Sequence, residues 1–235
     1  MPFMPGFHFR FGRRRGLAGN VAPILPLLEH ARDLRPAEWL QASMVTFATS
    51  VASFLPGHFE AYARLRHPIE INDGSEGPAP TWRAVDMDER GVVESLRRFV
   101  PDSFRVSTGS LPAAVIPRLI DHLEPATTTP ADCWFAVWEG FGGSVVPGGL
   151  EPKLDLPHRR YHVFAGPIEG ALTSFGEVSF YHQSANLWWP ADHAWCVATE
   201  VDHAWTYVGG SGSCIASLLS DARLETVETT ASSRI

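Results

Sequence analysis

Trp195-Cys196-Val197-Ala198-Thr199-Glu200-Val201-Asp202-His203-Ala204-Trp205-Thr206-Tyr207-Val208 is the stretch that decides the fold. Two runs of β-branched and aromatic residues, Trp195 to Val201 and Trp205 to Val208, flank a short turn at Asp202-His203, the pattern of a β-hairpin. A second segment, Cys133 to Trp138, is apolar at every position, as expected of a strand in the middle of a sheet with both faces covered. Arg160 to Phe164, Leu187 to Trp189 and the alternating Phe59 to Leu65 add strands, and Met44 to Leu55 reads as another before Pro56-Gly57.

Helical spacing appears between them. Val92, Val93, Leu96 and Phe99 predict a helix over Asp88 to Phe99, and Val115, Ile116, Leu119, Ile120 and Leu123 predict one over Leu111 to Leu123, with Ser110 as N-cap and Pro112 in its first turn. Pro23 to Ala31, the Pro36-Ala37-Glu38-Trp39-Leu40 start and Ser211 to Asp221 complete the helical set. Strands in hairpin succession with helices grouped between them point to an α+β single domain, a largely antiparallel or mixed sheet packed with helices. The expected organisation is a flexible arm over residues 1–16, the domain over 17–225 and a frayed tail over 226–235.

Composition narrows the function classes. Among 235 residues, 45% hydrophobic and 19% charged, the balance is that of a globular chain. A formal charge of -7 argues against a nucleic-acid binder with a general basic surface, since Lys and Arg cluster only at Arg10, Arg13, Arg14 and Arg15. The apolar stretch after that cluster is broken by Asn20, Pro23 and Pro26, unlike a secretory signal, and no long apolar run predicts a membrane span. Cys133, Cys196 and Cys214 are an odd set without CxxC spacing, which predicts free thiols and a cytoplasmic location. Lys153 is the one lysine among nineteen basic residues, a bias that suggests a GC-rich bacterial genome.

Ser184-Ala185-Asn186-Leu187-Trp188-Trp189-Pro190, then Ala194 to Asp202 and Thr206-Tyr207-Val208-Gly209-Gly210, resemble blocks of a family of uncharacterised, mainly actinobacterial proteins. Phe54-Leu55-Pro56, Phe59 to Arg64 and Cys133 to Gly140 are similar to further blocks. The resemblance implies a single intracellular domain and brings no activity with it.

Strand alternation places Cys196, Ala198, Glu200 and Asp202 on one face, so Glu200 shares a face with a thiol and a methyl group, a setting that suits acid/base work. The competing reading pairs Glu200 with an arginine. His158 and His162 have HxxxH spacing, but on a strand they lie about 13 Å apart, too far for one metal. His182, His193 and His203 supply no defined third ligand, and neither metal nor cofactor is expected. Gly209-Gly210-Ser211-Gly212-Ser213 leads into a helix N-terminus, where amides can cradle phosphate or a serine can simply cap the helix. Trp188, Trp189, Glu200, Asp202 and Trp205 form the candidate ligand site, with Glu200 and Asp202 the candidate catalytic pair; the same tryptophans would equally serve as core. The expected function is a binding or protein-interaction module for a protein partner or small molecule. The alternative is a hydrolase or transferase using Glu200 in an aromatic-lined pocket.

Overall fold

The computed structural model describes residues 25–45, 50–71, 81–82, 104–157, 159–178 and 182–235. Its strands are β1 (Glu29–His30), β2 (Ala61–Arg66), β3 (Ile69–Ile71), β4 (Phe104–Val106), β5 (Cys133–Trp138), β6 (Leu154–Leu156), β7 (Arg159–Gly166), β8 (Leu187–Pro190), β9 (Trp195–Thr199), β10 (Trp205–Gly210) and β11 (Thr226–Thr229). Three α-helices are described, α1 (Glu38–Ser43), α2 (Ile116–Leu123) and α3 (Gly212–Ser220). Nine strands form one sheet in the order β1-β7-β5-β8-β9-β10-β2-β11, with β6 beside β7, and β3 pairs β4 separately. Among the described residues every strand pairing is antiparallel. The fold is thus more strand-rich than a sheet packed with helices implies.

Alternation along the strands feeds two hydrophobic layers, one on each face of this single sheet. Trp195 and Val197 of β9 join Phe135, Trp188, Val208 and the apolar sides of α2 and α3 in one layer. Cys196 and Ala198 join Tyr62, Trp189, Trp205, Tyr207, Leu40, Val51, Phe54 and Leu55 in the other. Because both faces are covered, β8, β9 and β10 are buried at every position, which explains why the sequence shows continuous apolar runs there and not alternation. Asn186, just before the short β8, bridges both neighbours: its Oδ1 accepts from Trp138 N at 2.9 Å and its Nδ2 donates to Thr199 O at 3.1 Å. A side-chain amide here satisfies backbone groups that a longer β8 would have paired.

Several expectations need correction. The described part of Pro23 to Ala31 holds β1 and no helix, and Val51–Ser53 is a 3-10 turn within the segment read as a strand. Ser110 is not an N-cap: its hydroxyl donates to His182 O, and α2 starts later, at Ile116, after Val115. Residues 226–235 do not fray. Thr226–Thr229 pair with β2, and beyond them Ala231 O and Ser233 O accept from Ala52 N and Val51 N. The expected arm at 1–16 and the helix at Asp88 to Phe99 lie outside the described residues.

Candidate functional site

The hairpin turn carries the candidate site. Glu200 directly follows β9 on the face of Cys196 and Ala198 and meets Arg159, whose Nη2 donates to Glu200 Oε1; the same nitrogen lies 3.2 Å from Asp202 Oδ2. The side chain of Glu200 is 6% exposed, that of Arg159 15% and that of Asp202 81%. Arg159 opens β7, three strand spacings or about 14 Å from β9. It crosses that gap by lying over the Trp138 ring of β5, with its guanidinium carbon 4.7 Å from the ring centroid. A buried carboxylate losing such a partner would cost about 3–5 kcal/mol, so the pair explains how an acidic residue is tolerated at this depth.

Beside the pair is a cavity of about 20 Å³ whose walls include Met44, Phe54, Leu156, Tyr161 and Asn186. That is room for roughly one water. Burial, with the Glu200 charge adding to it, pushes the Tyr161 phenol well above its ordinary value, so it stays protonated. Burial also pushes His203 down to about 4; its ring stacks on Trp205 at 4.6 Å, and its Nδ1 lacks a hydrogen-bond partner among the described residues. The arrangement can hold charge in place and present Asp202 at a rim. Glu200 itself faces a guanidinium, not a substrate-sized space.

The five expected ligand residues are not brought together. Glu200, Asp202 and Trp205 cluster at the hairpin, with Trp205 buried beside Arg64 and its indole donating to Tyr207 Oη at 2.9 Å. Trp189 is fully buried on the same face, edge-on to Trp39. Trp188 is buried on the opposite face against Trp195, so it cannot share a pocket with Glu200. Arg159, Tyr161, Phe54 and Met44 were not singled out from sequence. Only a competing arginine partner for Glu200 was anticipated, without its number.

The glycine turn also resolves toward structure. Gly209 runs beneath Phe59, where an added Cβ would sit 2.5 Å from the ring edge. At the start of α3, Gly212 N donates to Glu60 Oε2 at 2.8 Å and Ser211 Oγ accepts from Cys214 N, so the anion at this helix terminus is the protein's own. His162 is buried on β7, and among the described residues no three His, Cys, Asp or Glu are placed to hold a metal ion. Burial pushes Cys133 up to about 12 and Cys214 up to about 11, and Cys196 is raised as well, which keeps all three buried thiols from acting as nucleophiles.

No protein-family model, curated protein or solved structure matches the chain. No helix among the described residues is long and apolar enough to cross a membrane.

Proposed function

We propose that this protein is a cytoplasmic binding module that recognises a peptide or small molecule at the rim of the Glu200–Arg159 cleft. One observation carries the reading: Glu200 is already held by Arg159 beside a cavity of about 20 Å³, so the acidic residue is committed to structure and the space beside it is too small for a substrate. What remains exposed is Asp202, 3.2 Å from the Nη2 of Arg159, which is itself a wall of the cavity together with Phe54 and Leu156. A carboxylate beside an apolar step suits a ligand with a cationic group next to an aliphatic or aromatic one. The overall negative charge fits such a partner better than a nucleic acid.

The residues that carry the resemblance to the actinobacterial proteins fall mainly on β8, β9 and β10, which are buried. A pattern shared there reflects a shared core more than a shared chemistry. Selection of a random peptide library on the purified protein tests the proposal. Enriched peptides are expected to carry Lys or Arg beside an apolar residue and to lose at least about tenfold in affinity on Asp202→Ala, but not on Glu169→Ala. Enrichment indifferent to Asp202, or a turnover activity abolished by Glu200→Gln with the fold intact, would refute it.

A further inference from the structure

On the opposite side of the sheet, α2 and α3 pack through Leu119, Leu123, Ile215 and Leu218. Alongside that apolar seam runs a polar one. His122, in the last turn of α2, lies with Nδ1 2.7 Å from Ser217 Oγ of α3 and with Nε2 2.9 Å from Asp221 Oδ2. Ser217 and Asp221 are four residues apart and therefore on one side of the helix, which lets a single imidazole reach both.

Three features separate this cluster from an ordinary polar contact. The distances impose a direction on the protons: Asp221 accepts from Nε2–H, which leaves Nδ1 as the acceptor for the Ser217 hydroxyl. Access is graded, with the serine exposed and the side chains of His122 and Asp221 only 15% and 7% exposed. Asp221 is kept ionised, because Arg223 binds it in a bidentate manner and, with His122, holds its carboxyl well below the usual carboxylate range. Beyond Asp221 lies a cleft of about 210 Å³ lined in part by Val115, Arg118, Ala222, Arg223 and Leu224; Ser217, His122 and Asp221 are not among its walls. Arg118 stands one helical turn before His122 and donates to Arg223 O at 2.8 Å.

We propose that Ser217, His122 and Asp221 form a nucleophilic serine site that acts on small carboxylic esters reaching the exposed Ser217 hydroxyl. The roles of the two imidazole nitrogens follow from which partner each one touches, and a nucleophile, its base and an orienting carboxylate define such a site whatever their order in the chain. Ser217 Oγ adds to the ester carbonyl carbon while its proton passes to His122 Nδ1. The tetrahedral adduct collapses, the bond to the leaving oxygen breaks, and that oxygen takes the proton from Nδ1 and departs as an alcohol. Water then adds to the acyl-serine, giving a proton to Nδ1, and Ser217 Oγ recovers it as the carboxylic acid leaves. Asp221 is a positioning residue that holds the imidazole tautomer and stabilises the imidazolium formed in each half.

The site is independent of the Glu200 cleft, since the two lie on opposite faces of the sheet. It is tested on the full chain with a fluorophosphonate, in which Ser217 Oγ bonds to phosphorus and fluoride leaves. The expected result is one label per molecule, mapped to Ser217, abolished by Ser217→Ala and unaffected by Ser220→Ala. Labelling should slow about a hundredfold or more in His122→Asn. In Asp221→Asn the maximal labelling rate should fall while the half-saturating probe concentration is unchanged, a split that a purely structural role would not produce. Labelling of other serines, no labelling, or labelling of Ser217 as fast in His122→Asn as in the parent overturns the proposal and leaves the three residues as a polar staple between the helices. Ser217→Ala alters an exposed helical position and is not expected to disturb folding; an unchanged melting temperature confirms that lost labelling is chemical.

Discussion

His67 shows how a single buried group couples the fold to pH. It is wholly buried, its Nδ1 2.7 Å from Ser107 O, which can only accept and so fixes a hydrogen on Nδ1, and its Nε2 2.9 Å from Thr206 Oγ1. Burial pushes it down to about 4, below the ordinary 6.5. Between those values the unfolded chain binds a proton that the folded chain refuses. Stability is therefore complete above pH 6.5, falls as the pH drops through the window and stops falling below about 4. Acidification from pH 7 to pH 5 should cost about 2 kcal/mol from this residue alone. His203 acts in the same direction but is partly exposed and contributes less. Urea unfolding at the two pH values measures the loss, and His67→Gln should remove most of it. A variant that keeps the full pH dependence would assign the effect to other groups.

At the scale of the element, β11 is the informative case. The sequence from Thr226 onward is short, polar and terminal, which predicts fraying. What it pairs with lies about 160 residues earlier: the open edge of β2, with Thr226 opposite Leu65 and Thr229 opposite Tyr62. Thr226 also donates to Leu218 O at 3.1 Å, tying the strand to α3. An edge strand is stabilised by the neighbour whose backbone it completes, and its own composition carries little of that information. Deleting residues 226–235 removes this ladder and the two bonds to Val51 and Ala52, each worth about 1 kcal/mol net. A loss of about 3 kcal/mol or more lowers the melting temperature by roughly 10 °C for a chain of this size. A shift under about 2 °C in a thermal scan would show that β11 contributes nothing.

For the whole molecule, one antiparallel sheet with a hydrophobic layer on each side makes neighbouring tryptophans serve different layers. Trp188 and Trp189 are adjacent in sequence and buried on opposite faces. Trp188→Ala and Trp189→Ala should each destabilise the protein by about 3–5 kcal/mol in urea unfolding. A cost below about 1 kcal/mol for either would remove that residue from the core. The sequence by itself determined β5, β7, β9 and β10, because short apolar runs rich in β-branched and aromatic residues, bounded by turn residues, act over a few residues and survive in any tertiary setting. It also determined α3, and the face that Glu200 shares with Cys196 and Ala198. Only the tertiary structure decided what that face meets. Arg159 reaches Glu200 across two intervening strands, Glu60 occupies the α3 terminus from 152 residues away, and His122 is brought to Ser217 over a separation of 95 residues. Contacts of this kind depend on strand order and register, which the side-chain pattern of a single segment does not encode.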